Sequence, residues 1–194
     1  MLDRVLQRSI KTSPCRTEVR SMPNAVLVID MLRGFLEPGH NLYCGDAARE
    51  IIPNVRRLLE RERRAGSAIL FISDHHDPDD LEFQIFPVHC VKGTDEPQVI
   101  PELAEFVTSS NVVPKNRYSG FFNTGLAERL ERLSPEKLVV CGVCTDICVL
   151  HTTSDARNRD YTVEVPASCV ASFDPDAHSW ALRHLQRILG AKVV

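Results

Sequence analysis

The stretch LVVCGVCTDICVLHT, residues 138–152, decides the architecture. Its first six residues, LVVCGV (138–143), form an unbroken apolar run, as expected of a strand covered on both faces. A helix is predicted over Asp146–Asn158, with Asp146 or Thr145 as its cap. An apolar strand that feeds directly into a helix is the repeating unit of a parallel sheet flanked by helices. Working outward, the unit recurs. AVLVID (25–30) and SAILFIS (67–73) read as two further buried strands, separated by a helix over 46–65. In that helix Asp46 is the expected N-cap, Pro53 falls near the start of the regular part, and Gly66 sits where a C-terminal glycine belongs. NVVP (111–114) and Tyr161–Val165 supply two more strands, and Val193–Val194 an edge strand. Pro101–Val107, Asn123–Leu133 and Asp176–Leu189 supply helices. The expected fold is α/β: one three-layer α/β/α domain with a mainly parallel sheet, over residues 23–194.

Residues 1–22 stand apart. Arg4, Arg8, Lys11, Arg16 and Arg20 face only Asp3 and Glu18 there. The segment reads as a loosely ordered N-terminal extension, with a transit peptide or a natural start at Met22 as other readings. The 194 residues suit one domain with an appendage, and a core of that size needs no disulfide or structural metal. Basic residues number 23 and acidic residues 26, a net charge of −3 without long like-charge runs, which argues against nucleic acid or an anionic membrane as partner. No apolar stretch approaches the ~18 residues of a membrane span. Seven cysteines, an odd number with no secretory signal before them, point to free thiols in a reducing cytoplasm.

In open parallel sheets ligands bind beyond the carboxyl ends of the strands. The residues that follow the strands here are Asp30, Asp74 to His76, Lys115, and Cys144 to Cys148. Fold geometry predicts that they gather in one crevice. Cys148 falls in the first turn of the helix after the fourth strand, where unpaired N–H groups and the positive helix end favour a thiolate and could hold an oxyanion. The plainer reading is a small buried side chain. Cys141, Cys144 and Cys148 also invite a zinc cluster or a redox C-x-x-C, but a second ligand pair at structural spacing is missing. The loop SDHHDPDDLEFQIFPVHCVKGT (73–94) offers another centre. Asp74, His76 and His89 provide one carboxylate and two imidazoles, a set that suits zinc, iron or manganese with positions left open.

Three motifs then occur in a fixed order. GVCTDICV resembles the Gly-Val-x-Thr-Asp-x-Cys-Val signature of the cysteine hydrolases of the isochorismatase-like superfamily. AVLVIDMLRGFL resembles that family's first-strand motif, and VVPKNRYSGF its lysine motif. The resemblance implies a catalytic triad of Asp30, Lys115 and Cys148. It also implies a cis peptide between Val143 and Cys144 that aims the Cys144 amide, with that of Cys148, at the substrate carbonyl oxygen. Asp-x-His followed by aromatic-Pro-x-His-Cys-Val-x-Gly-Thr is similar to the metal-site pattern of nicotinamidases within that superfamily. This implies one divalent metal, zinc first among the three, on Asp74, His76 and His89, with Glu82 as a fourth ligand and His75 turned away. Phe35 and Phe86 would sandwich a flat ring, with Tyr118 also lining the pocket. The expected reaction is hydrolysis of nicotinamide to nicotinate and ammonia through a cysteine thioester, in a homo-oligomer acting on a small molecule. Two departures touch the substrate. Leu32 stands where many nicotinamidases carry Gln, and the lysine motif lacks their longer insertion before Tyr-Ser-Gly-Phe. The other expectations are a small carbamoyl, ureido or biuret-like amide as substrate, an isochorismatase, or a non-catalytic binding module.

Overall fold

Strand β1 (Ala25–Ile29) is buried along its whole length, and it lies between β2 (Ala68–Asp74) and β4 (Leu138–Val143), parallel to both. The structure, a computed structural model, describes residues 23–194; the proposed N-terminal extension lies outside the described residues. Strands β3 (Val112–Lys115), β5 (Val163–Val165) and β7 (Lys192–Val193) complete the sheet in the order β3-β2-β1-β4-β5-β7, and β6 (Val170–Ala171) pairs with the end of β4. All of these pairings are parallel. The chain therefore winds outward from β1 in one direction, then returns to the other side of β1 at β4. The carboxyl ends of β1 and β4 flank the switch point, where a crevice opens in such sheets.

Successive strand residues alternate between two apolar layers. Val26, Val28, Phe71, Val139 and Cys141 pack on one face, with Val55, Leu58 and Leu59 of the helix over Ile52–Arg64. Leu27, Ile29, Ile72 and Val140 pack on the other, with side chains from the helices over Leu126–Leu133, Leu150–Arg157 and Pro175–Arg187. This is the expected three-layer arrangement, with strands apolar on both faces because both faces are covered. Gly142 marks the tightest approach. Its φ is +113°, and a Cβ there would sit 1.9 Å from the carbonyl oxygen of Ile29. Only glycine lets β1 and β4 close at that point.

Several predicted elements change in detail. The helix expected over 46–65 is two, α2 (Asp46–Arg49) and α3 (Ile52–Arg64), preceded by the short α1 (Arg33–Leu36). Pro53 has no N–H to donate back, so α3 starts around it. Asp46 is the first helical residue rather than the cap, which is Gly45. The helix expected from Asn123 begins at Leu126 as α4, because Asn123 is left-handed at φ 51°. After β4 the chain makes one wide π-type turn, Thr145–Val149, before α5 (Leu150–Arg157). Neither Thr145 nor Asp146 caps it. Thr145 bonds to His178, and the Asp146 carboxylate accepts from Ser172. In α6 (Pro175–Arg187) the cap is Asp174, whose carboxylate accepts from the N–H groups of Asp176 and Ala177. Pro101–Phe106 forms a 3-10 turn. Among the described residues no helix is long and apolar enough to cross a membrane.

Candidate active site

Asp30 directly follows β1 in a left-handed conformation, φ 48°. This turns its carboxylate back across the strand ends, where its Oδ1 accepts from the backbone N–H of Asp74 at 2.9 Å. Asp74 is the last residue of β2 and lies in register with Lys115 at the end of β3. The Lys115 ammonium is fully buried and reaches three groups. It is 2.9 Å from Asp30 Oδ2, it donates to Asp74 Oδ1, and it donates to Cys148 Sγ at 3.5 Å. Cys148 enters from the π-type turn after β4. One oxygen each from Asp30 and Asp74 and the sulfur of Cys148 lie within 4.8 Å of one another. Four strand ends therefore bring the three residues of the expected triad, together with Asp74, to one place. The Val143–Cys144 peptide is cis.

The environment separates the protonation states. Burial, with the Asp74 carboxylate beside it, raises the Asp30 pKa to about 6, although Lys115 pulls it down. Asp74 goes the other way. Burial opposes ionisation, but Lys115, His76 and His89 together hold its carboxyl far below the usual range. Lys115 stays protonated despite burial because two carboxylates face it. Burial pushes the Cys148 thiol well above its ordinary value, with Lys115 opposing. This direction is opposite to the one expected from the helix start, because desolvation of a nearly enclosed thiol outweighs one nearby cation. A base able to take the thiol proton would have to stand close by, and Asp30 offers a carboxyl oxygen within 4.8 Å of the sulfur and a pKa of about 6.

The loop after β2 folds back on itself. His76 pairs with Val91 in a parallel bridge, its N–H donating to the Cys90 carbonyl, so that His89 is brought beside His76 with ring centres 4.7 Å apart. Asp74 Oδ2 lies 3.7 Å from Nε2 of each histidine, and Glu82 Oε1 lies 3.9 Å from His89 Nε2. The Nδ1 of His89 faces the Pro87 carbonyl at 2.8 Å, and that of His76 faces the Asp80 carboxylate at 3.1 Å. Both partners can only accept, so each ring donates through Nδ1 and turns an Nε2 lone pair inward. His76 Nε2 and Glu82 Oε2 are buried without a hydrogen-bond partner. Inward lone pairs beside two carboxylates are a donor set that a divalent cation fits.

Both clusters open into one cleft, with Asp30, Cys148, Asp74, Glu82 and His89 on its wall. His76 and Lys115 lie behind that wall, fully buried. Phe35, Phe86 and Tyr118 line it, and Phe86 meets Tyr118 edge-on with centres 6.2 Å apart. His75 lies outside it. Sequence reading missed Leu42, Ile147 and Phe173 on the wall, and Phe83, which packs against both histidine rings. It also missed Asp80, whose carboxyl is held at about 2; burial opposes this, but the N–H of Glu82, His76 and Arg117 prevail. A spacing of four from His76 was its only signal. Cys44, to which no role was given, places its sulfur 3.6 Å from that of Cys144.

Comparison with known proteins agrees with this geometry. Residues 24–194 match the family model described as isochorismatase domain. A pyrazinamidase/nicotinamidase from Streptococcus mutans UA159 is 36% identical, over 88% of this chain and 99% of that one, with a TM-score of 0.83. N-carbamoylsarcosine amidase from Thermoplasma acidophilum is 33% identical, over 89% and 95%, with a TM-score of 0.77. A pyrazinamidase of Pyrococcus horikoshii, solved in complex with zinc, is 27% identical, over 88% and 98%, with a TM-score of 0.79. A family match spanning nearly every described residue, on a parallel seven-stranded α/β domain, makes this chain a member of the isochorismatase family of hydrolases.

Proposed function

We propose that the protein is a cysteine amidohydrolase that converts nicotinamide to nicotinate and ammonia. One observation carries the reading. Lys115 is buried between Asp30 and Asp74, so a single ammonium joins the base of the thiol to the histidine–carboxylate cluster, and both face one cleft. In the proposed reaction Asp30 takes the Cys148 proton as the sulfur adds to the amide carbon. The Cys144 and Cys148 amides hold the developing oxyanion. The C–N bond then breaks, and the proton on Asp30 leaves with ammonia. Water, deprotonated by Asp30, cleaves the thioester, giving the acid and the free thiol. Lys115 keeps its positive charge throughout and balances the two carboxylates. Asp74, His76, His89 and Glu82 would hold the metal, zinc in first place with iron or manganese fitting the same donors. When bound, that ion would orient the substrate through the ring nitrogen. Phe35, Phe86 and Tyr118 would confine the flat ring.

A second reading, a small carbamoyl or ureido amide as substrate, is favoured by the likeness to N-carbamoylsarcosine amidase and by Leu32 and the short lysine motif. Ammonia release decides between them. Purified protein is expected to turn over nicotinamide faster than N-carbamoyl amino acids or ureido compounds. Cys148→Ala is expected to lower that rate at least ~10³-fold. Turnover of carbamoyl substrates alone would favour the second reading, and an active Cys148→Ala protein would overturn the mechanism.

A further inference from the structure

The proposed reaction leaves Arg117 of the lysine motif, and Asp80 of the histidine loop, without a part. We propose that these two residues form a positioning pair that fixes His76 for metal binding and ties the affinity of that site to the loop after β3. The inference rests on the metal assignment above. Asp80 has a buried side chain, 4% exposed, and its carboxylate is saturated. Oδ1 accepts from the Glu82 backbone N–H at 2.9 Å and from Arg117 at 2.8 Å. Oδ2 faces His76 Nδ1 at 3.1 Å and accepts from Asn116 Nδ2 at 3.4 Å. A carboxylate held from both sides cannot rotate, so the His76 ring cannot rotate either, and its Nε2 stays aimed at the space beside Asp74. Arg117 also lies 4.0 Å from Glu82 Oε2, so one guanidinium bonds to Asp80 and stands beside a second carboxylate of the loop. One residue, Asn116, separates it from Lys115, which carries the Cys148 side of the site.

Partners that orient a metal-binding histidine typically contribute 10–100-fold to affinity. The charge of Arg117 works in the opposite sense, because a cation repels a cation. Removing it therefore separates positioning from plain electrostatics. The test is titration of metal-stripped protein with Zn²⁺ against a chromophoric chelator, with melting of each stripped protein alongside. Wild type is expected to take up one equivalent. Asp80→Ala is expected to bind about 10–100-fold more weakly. Arg117→Ala is expected to bind more weakly by several-fold and Arg117→Lys to fall between, with metal-free melting temperatures equal to wild type. Lys92→Ala, which breaks an exposed ion pair with Asp77 in the same loop, should change nothing. Equal or tighter binding in Arg117→Ala overturns the inference, and because Arg117 is one-third exposed, that variant decides the matter even if Asp80→Ala fails to fold. Wild-type protein that takes up no zinc is a different result: it overturns the metal assignment and the pair with it.

Discussion

Replacing Lys115 by Met keeps the length of the side chain and removes its charge. The ammonium is fully buried, with Asp30 Oδ2 at 2.9 Å and Asp74 Oδ1 in direct contact. The carboxylates are themselves almost wholly enclosed, Asp30 at 2% and Asp74 at 3% exposure. Removing one member of a buried charged set typically costs about 3–5 kcal/mol, because the partner stays desolvated and unpaired. Here two partners lose the same cation, so the upper part of that range is expected, or a fall in Tm of about 10 °C or more. The cost should depend on pH. Asp30 already sits at about 6, and without Lys115 it must rise further. A carboxyl whose folded pKa lies above its unfolded value of about 3.9 binds more protons folded than unfolded. Its penalty is full at high pH and is relieved as pH falls through the raised pKa. The stability gap between wild type and Lys115→Met is therefore largest at pH 8 and shrinks toward pH 5. Urea unfolding across that range, with a chelator present so that no bound cation replaces the ammonium, measures it directly. A gap below about 1 kcal/mol, or one that stays constant with pH, would refute the buried-charge reasoning.

Other outcomes follow from the same structure. Gly142→Ala should cost more than ~4 kcal/mol or prevent folding, since the new methyl meets the Ile29 carbonyl at a positive φ; urea unfolding or soluble yield reports it, and wild-type stability would contradict the close approach of β1 and β4. Glu62 is buried where α3 meets the sheet and accepts from Ser67 at 2.7 Å and Asn24 at 3.0 Å. Burial raises its pKa, but the hydrogen bonds from Ser67, Asn24 and Arg61 outweigh it, so the pKa is lowered overall. Its stabilisation is thus present above the unfolded value of about 4.3 and lost as pH falls through the lower folded one. Glu62→Gln should cost about 1–2 kcal/mol at pH 7 and little at pH 3, measured by denaturant midpoints. Metal analysis should find one equivalent in wild type and none in a His76→Ala/His89→Ala double variant.

The sheet was legible because its strands are covered on both faces. Full coverage demands apolar runs such as AVLVID and LVVCGV, and such runs are visible without knowing what covers them. Helix starts were less legible. Asp46 looked like a cap, yet the chain entered through Gly45, and the turn carrying Cys148 is wider than a regular helix, because local signals yield where the tertiary path must aim a side chain. The cysteines divide in the same way. Position after β4 singled out Cys148 as the candidate nucleophile, but the state of its thiol depends on burial and on charges from three other strands.

By itself, the sequence determined that this is a parallel α/β domain with its chemistry at the strand ends. Order along the chain places Asp30, Asp74, Lys115 and Cys148 each just where a strand stops. Only the tertiary structure decided what those residues are to one another. The order β3-β2-β1-β4 brings four ends side by side, so one lysine bridges two carboxylates and a thiol that are distant in sequence. The same folding sets Arg117 against Asp80, and Asp80 against His76. Protonation states and ligand orientation depend on distance and burial, and those quantities exist only once the chain has closed on itself.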